Sequence, residues 1–280
     1  MQRLSVLALL VVVAVLLSLA TRLSRFALAS FNDPKWLPAL SADSAVHFEA
    51  AAEGCAVAVA RILPEAMRSV EEGHGRPFAR APIIGVYASY DNYAKANGMG
   101  DPAIAAVALS ERVVLSPTLC GAERARLAPV LTHELSHAHL FGWRGMWAER
   151  PPSWFVEGLA VMVSRGAGAE EMSEEEAKAR IREGHALTML EYGVWADFSA
   201  IGFSKEKSGD FSKYGLVYRQ RLAFRQAAMF VAWLKASDDA GFLGILRRLE
   251  AGESFPAAFE AAFRADLLTL SRLYLVDTRK

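Results

Sequence analysis

Thr132-His133-Glu134-Leu135-Ser136-His137, followed by Ser153-Trp154-Phe155-Val156-Glu157-Gly158-Leu159-Ala160, is the stretch from which the rest of this 280-residue chain is read. On a helix, two histidines four positions apart stand one turn apart on the same face. Their Cβ atoms are then about 5–6 Å from each other, so both imidazoles reach a single ion. Glu134 falls beside that ion without being bound to it. Glu157, twenty positions after His137, supplies a carboxylate from a second helix. A catalytic zinc takes three protein ligands and leaves its fourth position to water, and two His with one Glu is a recurring set. His133, His137 and Glu157 are therefore expected to hold one zinc per chain.

An H-E-x-x-H pattern alone is only moderately specific, because an amphipathic helix rich in His and Glu produces it by chance, with the histidines merely packing. Here the context supports it. An apolar lead-in and Pro129 near a helix start predict a helix over 128–141. Pro151-Pro152-Ser153, a stop followed by an N-cap, predicts a second helix over 154–164, with Gly158 permitting close approach of a neighbouring helix. A metzincin-type site is excluded, since its Gly and third His would fall at Leu140 and Trp143.

Zinc lowers the pKa of its water and polarises a carbonyl oxygen, so amide hydrolysis needs no covalent intermediate. Glu134 is then the general base, taking the proton from the zinc-bound water and delivering it to the leaving amine. Thr132 and Ser136 are read as hydroxyls bonded back to the preceding helical turn.

His133-Glu134-Leu-Ser-His137 with Trp154-Phe-Val-Glu157-Gly158-Leu-Ala160 resembles the gluzincin superfamily, the thermolysin-like zinc peptidases, and within it the bacterial peptidase MA-like domain proteins. The close resemblance covers 132–160 and a looser one runs from about 45 to 265. It implies ligand roles for His133, His137 and Glu157 and a base role for Glu134. It also implies a downstream Tyr or His that stabilises the oxyanion, for which Tyr214, Tyr218 and His185 are candidates. Phe224 stands where a hydroxyl would be useful. In such domains an edge strand upstream of the zinc helix pairs with the peptide substrate. Residues 105–109 and 112–116, separated by a Ser-Glu turn, read as a hairpin offering that strand, or as an ordinary hairpin.

A formal net charge of zero, with Arg and Lys interleaved among Glu and Asp, argues against nucleic acid as a partner. Residues 1–30 are different material: Arg3 precedes a run over 4–20 interrupted only by two serines, a membrane-targeting helix that is either a signal peptide or a signal anchor. Ser18-Leu19-Ala20 and Ala27-Leu28-Ala29 both resemble cleavage sites, while Arg22 and Arg25 favour an uncleaved anchor. The rest would lie outside the cytoplasm, in the periplasm or at the cell surface, anchored or secreted. Cys55 and Cys120 fit that compartment as one disulfide, and fit equally as two unpaired buried thiols.

The expected fold is α+β. A linker over 31–44 precedes a metallopeptidase domain over 45–280, with a small mixed or antiparallel sheet in 45–122, the zinc-site helices in 128–166 and a helical part in 172–280. His47, His74 and His185 carry little signal, and His139, two residues past the second ligand, reads as surface or packing. Trp143, Trp147 and Trp154 line the cleft or pack loops. The expected function is hydrolysis of peptide bonds in a peptide or protein substrate. The alternatives are a catalytically weak or inactive zinc-site protein acting as an extracytoplasmic binding module, and a zinc hydrolase acting on another amide.

Overall fold

Val46, Ile84, Val86, Val113, Val114 and Leu115 are each at most 1% exposed. Strands this apolar on both faces belong to parallel pairing inside a sheet. The computed structural model, which describes Ser24 and residues 27–143, 149–187, 189 and 215–279, bears this out. Strands β1 (Ala39–Leu40), β2 (Asp43–Phe48), β3 (Ile83–Val86), β4 (Ala106–Leu109) and β5 (Arg112–Leu115) form one mixed sheet in the order β1-β2-β3-β5-β4. The inner pairs β2/β3 and β3/β5 are parallel, and the outer pairs are antiparallel. The hairpin predicted at 105–116 is β4 and β5, turning at Ser110 with φ of 56°. Of its two strands β4 is the one at the sheet edge.

Helix α1 (Glu53–His74) connects β2 to β3. Pro64 lies inside it and removes one ladder bond, a cost of roughly 3 kcal/mol for an interior position. The buried stripe Cys55, Ala56, Val59, Leu63, Ala66 and Val70, at helical spacing, offsets that cost through apolar burial. Gly75 with φ of +70° then takes the left-handed position past its end. Helix α2 (Tyr90–Ala96) follows β3, its N-terminus capped by Ser89 and by Glu49, whose carboxylate accepts from the Ala88 and Ser89 amides at 2.8 Å. A short helix α3 (Pro117–Cys120) brings Cys120 to Cys55, and the two form a disulfide.

The described residues fall into two compact units, one drawn from 1–62 and 81–127 and the other from 63–80 and 128–280. The first contains the sheet. The second is helical: α4 (Leu127–Gly142), α5 (Ser153–Val163), α6 (Glu174–Arg182), α7 (Leu216–Ser237), α8 (Asp239–Glu250), α9 (Phe255–Phe263) and α10 (Leu267–Arg279). Its core is an aromatic cluster in which Trp154 packs 5.3 Å from Phe230 and 5.7 Å from Phe255, and Phe155 packs 5.2 Å from Phe255. Trp154 is thus a core residue rather than a cleft wall.

One expectation changes. Residues 31–44, read as a linker, carry a 3₁₀ turn (Pro34–Trp36), β1 and the start of β2. Pro34 sits over the central strand, where a Cβ on Gly85 would come within 2.8 Å of it, and Asp33 pairs with Arg112 at 3.0 Å. Pro and Ser suggested a linker because a turn that packs on a glycine has the same composition as one that packs on nothing. No helix among the described residues is long and apolar enough to cross a membrane. The expected membrane-targeting helix at 4–20 lies outside the described residues, as do Trp147 and Tyr214.

The disulfide closes a sequence separation of 65 residues. Replacing Cys55 and Cys120 together by alanine is expected to lower the unfolding free energy by about 2–4 kcal/mol, the typical range for a disulfide. Urea denaturation of the double variant measures it, and a midpoint equal to that of the wild type would show that the bridge constrains nothing.

Candidate metal centre

Helix α4 is buried nearly all round. Leu131, Thr132, His133, Leu135, Ser136, Ala138, His139 and Leu140 are all buried, while Glu134, His137 and Phe141, at i, i+3 and i+7, are half-buried. That stripe is the helix's outlet to solvent. Thr132 bonds back to the Ala128 carbonyl at 2.9 Å, as expected for a hydroxyl on a helix.

Helix α5 delivers the carboxylate. Its flanks, Trp154 and Phe155 on one side and Leu159 and Ala160 on the other, are buried in the core, which fixes the rotation that turns Glu157 inward. Gly158 does permit a close helix approach, but the partner is α7. A Cβ there would lie 2.7 Å from the Ala227 carbonyl oxygen. Backbone cannot yield as a side-chain tip does, so only glycine fits.

These helices bring the three sequence-predicted ligands together. His133 Nε2 lies 3.1 Å from His137 Nε2, and Glu157 Oε2 lies 3.3 Å from the first and 3.4 Å from the second. One atom from each residue thus faces the other two in a buried group that can hold a metal ion. No other such group occurs among the described residues. His133 Nδ1–H donates to the Ala167 carbonyl at 3.0 Å, which fixes the tautomer and leaves Nε2 with its lone pair turned toward Glu157. His137 Nδ1 meets no hydrogen-bond partner among the described residues.

The electrostatics agree. Burial works to raise the Glu157 carboxyl, but the His137 charge and hydrogen bonds from both imidazoles outweigh it and hold the group far below the usual carboxylate range. Burial works to lower His133, and there the hydrogen bond to Glu157 with the charges of Glu134 and Glu157 wins, so its value is raised. The contribution of Glu134 places its charge within electrostatic reach of the ligand ring.

A polar network behind α4 escaped the sequence reading. Ser136 does not bond back to its own helix; its hydroxyl meets His74 Nε2 at 3.0 Å. His74 Nδ1 meets His139 Nδ1 at 2.9 Å, and His139 Nε2 faces the carbonyls of Arg76 and Pro77 at 3.1 and 3.2 Å. Two carbonyls require Nε2 of His139 to carry its proton, so with both rings neutral every direction follows: Ser136 donates to His74, and His74 to His139. Burial lowers both pKa values, strongly for His74, which keeps the rings neutral. His139 is therefore a packing residue, 1% exposed, and not a surface one.

No protein-family model, curated protein or solved structure matches this chain.

Among the oxyanion candidates, the Tyr218 hydroxyl donates to Glu176 at 2.7 Å, and burial and that carboxylate push its pKa up to about 12. His185 is tied through its backbone carbonyl to Gln226. Phe224, 5% exposed, and His133 both flank Gly168: a Cβ on that glycine would lie 3.0 Å from the Phe224 ring and 3.3 Å from His133 Cε1.

Metal uptake must displace the proton that His133 holds to a higher pH than an ordinary imidazole, whereas Glu157 is already ionised. Apparent affinity is therefore expected to rise with pH from about 6 to about 8 and to fall on acidification. Competition with a chromophoric chelator across that window reads it, and a flat profile would contradict the assignment of His133 as a ligand.

Proposed function

We propose that the chain is a zinc-dependent metallopeptidase, and the observation that carries this reading is the triangle formed by His133, His137 and Glu157. A tetrahedral ion with bonds of about 2.0–2.1 Å spaces its ligand atoms about 3.3–3.4 Å apart. The three separations of 3.1, 3.3 and 3.4 Å fit that edge length. Two imidazoles and one carboxylate form a donor set suited to zinc, and three protein ligands leave a coordination position open, as catalytic sites do.

When bound, zinc would supply Lewis-acid polarisation of a carbonyl and a water acidic enough to ionise near neutrality. The chain's own residues do the rest. Glu157, buried and ionised, balances charge and is not a proton carrier. Glu134 is half-buried on the same stripe of α4 as His137, so it meets both the site and the incoming substrate. It takes the proton of the attacking water and returns it to the leaving amine, which is general acid–base work. His133, held by Ala167, keeps its Nε2 turned to the ligand triangle throughout.

The second reading is a weakly catalytic or inactive zinc-site protein that binds a partner. It draws support from Tyr218, whose hydroxyl is committed to Glu176, and from an apolar ring, Phe224, near His133. Against it stands Glu134: a site that only bound zinc would have no use for that carboxylate at that position. A peptide library against other amides would separate a peptidase from a hydrolase of a different amide. An extracytoplasmic, membrane-attached setting remains part of this proposal, supported by the apolar run at 4–20 and by the disulfide.

The test uses the purified full chain. Zinc per chain by elemental analysis is expected near one for the wild type and for Glu134→Gln, and well below one for His133→Ala and Glu157→Ala. Hydrolysis of library peptides is expected to fall about 10²–10⁴-fold in Glu134→Gln. Zinc retained equally in all four proteins would end the reading, and zinc with no cleavage by the wild type would favour the binding module.

A further inference from the structure

The loop that follows α5 is a series of backbone turns, with the Gly166 amide donating to the Val161 carbonyl at 2.9 Å, Ala169 to Gly166 at 3.0 Å and Met172 to Ala169 at 3.2 Å. Residues 164–172 carry positive φ at Arg165 (57°), Gly166 (120°), Gly168 (88°) and Glu171 (64°), a backbone that only fixed partners sustain. Yet Ala167, 2% exposed, presents its carbonyl to His133 Nδ1 at 3.0 Å. Something must hold that carbonyl in place.

Part of the answer is local. Ser164 Oγ accepts the Ala167 amide at 3.2 Å, and the Gly168 amide donates to Glu170 at 3.0 Å. A hold from outside the loop comes from α7, where Arg225 donates from Nε to the Met172 carbonyl at 2.7 Å and from Nη2 to the Ala169 carbonyl at 3.2 Å. One rigid, planar guanidinium thus spans two carbonyls on the far side of Ala167. Gly166 is shaped for it: a Cβ there would come 2.9 Å from Arg225 Nη2, in addition to the cost of its φ.

We infer that Arg225 is a positioning residue for the metal centre: by clamping the Ala169 and Met172 carbonyls it fixes the 164–172 loop, and through Ala167 it fixes the ring of His133. This deepens the reading of His133 as a ligand and rests on it. The inference singles out His133 because, among the described residues, its Nδ1 has a hydrogen-bond partner and His137 Nδ1 has none. It also ties the two ligand-bearing elements together, since α5 brings Glu157 and the turn directly after α5 orients His133. Loss of a partner of this kind typically costs about 10–100-fold in metal affinity.

Arg221 is the control. It lies on the same helix one turn earlier and pairs with the side chain of the exposed Glu171, not with the loop backbone. In the full chain, Arg225→Gln is expected to weaken zinc binding about 10–100-fold by chelator competition. Arg225→Lys, which keeps the charge but loses the fork, is expected to fall between, and Arg221→Gln to match the wild type. A second readout needs no metal: in histidine-labelled, metal-free protein the His133 Nδ1–H signal is expected to be protected from exchange in the wild type and in Arg221→Gln, and lost in Arg225→Gln. Thermal unfolding confirms that each variant folds.

Unchanged affinity with a retained His133 signal in Arg225→Gln would overturn the inference, as would an equal loss in Arg221→Gln. If the wild type binds no zinc but the His133 signal still depends on Arg225, the metal reading fails while the positioning stands.

Discussion

Three electron-pair donors face one another at 3.1–3.4 Å in a site where each side chain is 13% exposed or less. With the His133 proton placed on Nδ1 by Ala167, its Nε2 is an acceptor aimed at a carboxylate and at another imidazole nitrogen. Each buried acceptor left without a partner costs about 1–3 kcal/mol, so three at one point would consume a large part of a typical folding free energy of 5–15 kcal/mol. A hydrogen or a cation placed among them relieves this. A proton raised onto His133 does so partially, and a divalent ion bonded to all three does so completely. The raised His133 and depressed Glu157 express the same constraint.

A site under such internal repulsion must be held from outside, and the surrounding contacts read as that restraint. Behind α4, the neutral chain from Ser136 through His74 to His139 ends on two backbone carbonyls, so every polar atom in it has a partner although the three side chains are at most 2% exposed. Fully satisfied networks of this kind rigidify, whereas a half-satisfied one would be worse than an apolar core. Behind α5, the absent side chain of Gly158 lets the Ala227 backbone come close, and Trp154 and Phe155 lock the helix rotation into the aromatic cluster. The two ligand helices are thus fixed by different means, one by directional hydrogen bonds and one by packing.

The cluster of His133, His137 and Glu157 was legible because its spacing is local: four residues on one helix and a carboxylate on a second helix with clear start signals. The helix bounds and the hairpin were legible for the same reason, through caps, periodicity and turn residues. What was not legible depends on long-range pairing. His74 lies 65 residues from His139, and nothing near either marks them as partners, so Ser136 received its local default of a back-bond. Gly158 announced a close approach but not to which helix. Residues 31–44 resembled a linker because the glycine that receives Pro34 lies in a strand some fifty residues on. Arg225 carried no sequence signal at all, since an arginine that holds loop carbonyls looks like any arginine on a helix.

In the proposed peptidase, two glutamates of the same chemical type would divide the work through environment alone. Glu157 is buried, meets two imidazoles and is held ionised well below the carboxylate range, so it can neither pick up nor release a proton near neutral pH. A group in that state is fit to be a ligand and unfit to be a base. Glu134 occupies the half-buried stripe of α4 that includes His137, close enough for its charge to act on His133 yet open to solvent and substrate. General-base catalysis needs a carboxylate beside the reacting water that can be protonated in the transition state. Burying Glu134 as deeply as Glu157 would remove its access to substrate, and exposing Glu157 as much as Glu134 would lower the charge density that draws a cation between the histidines. On the proposed function, the difference in depth between the two carboxylates is what would turn a cluster able to hold a metal ion into one with a directed proton path.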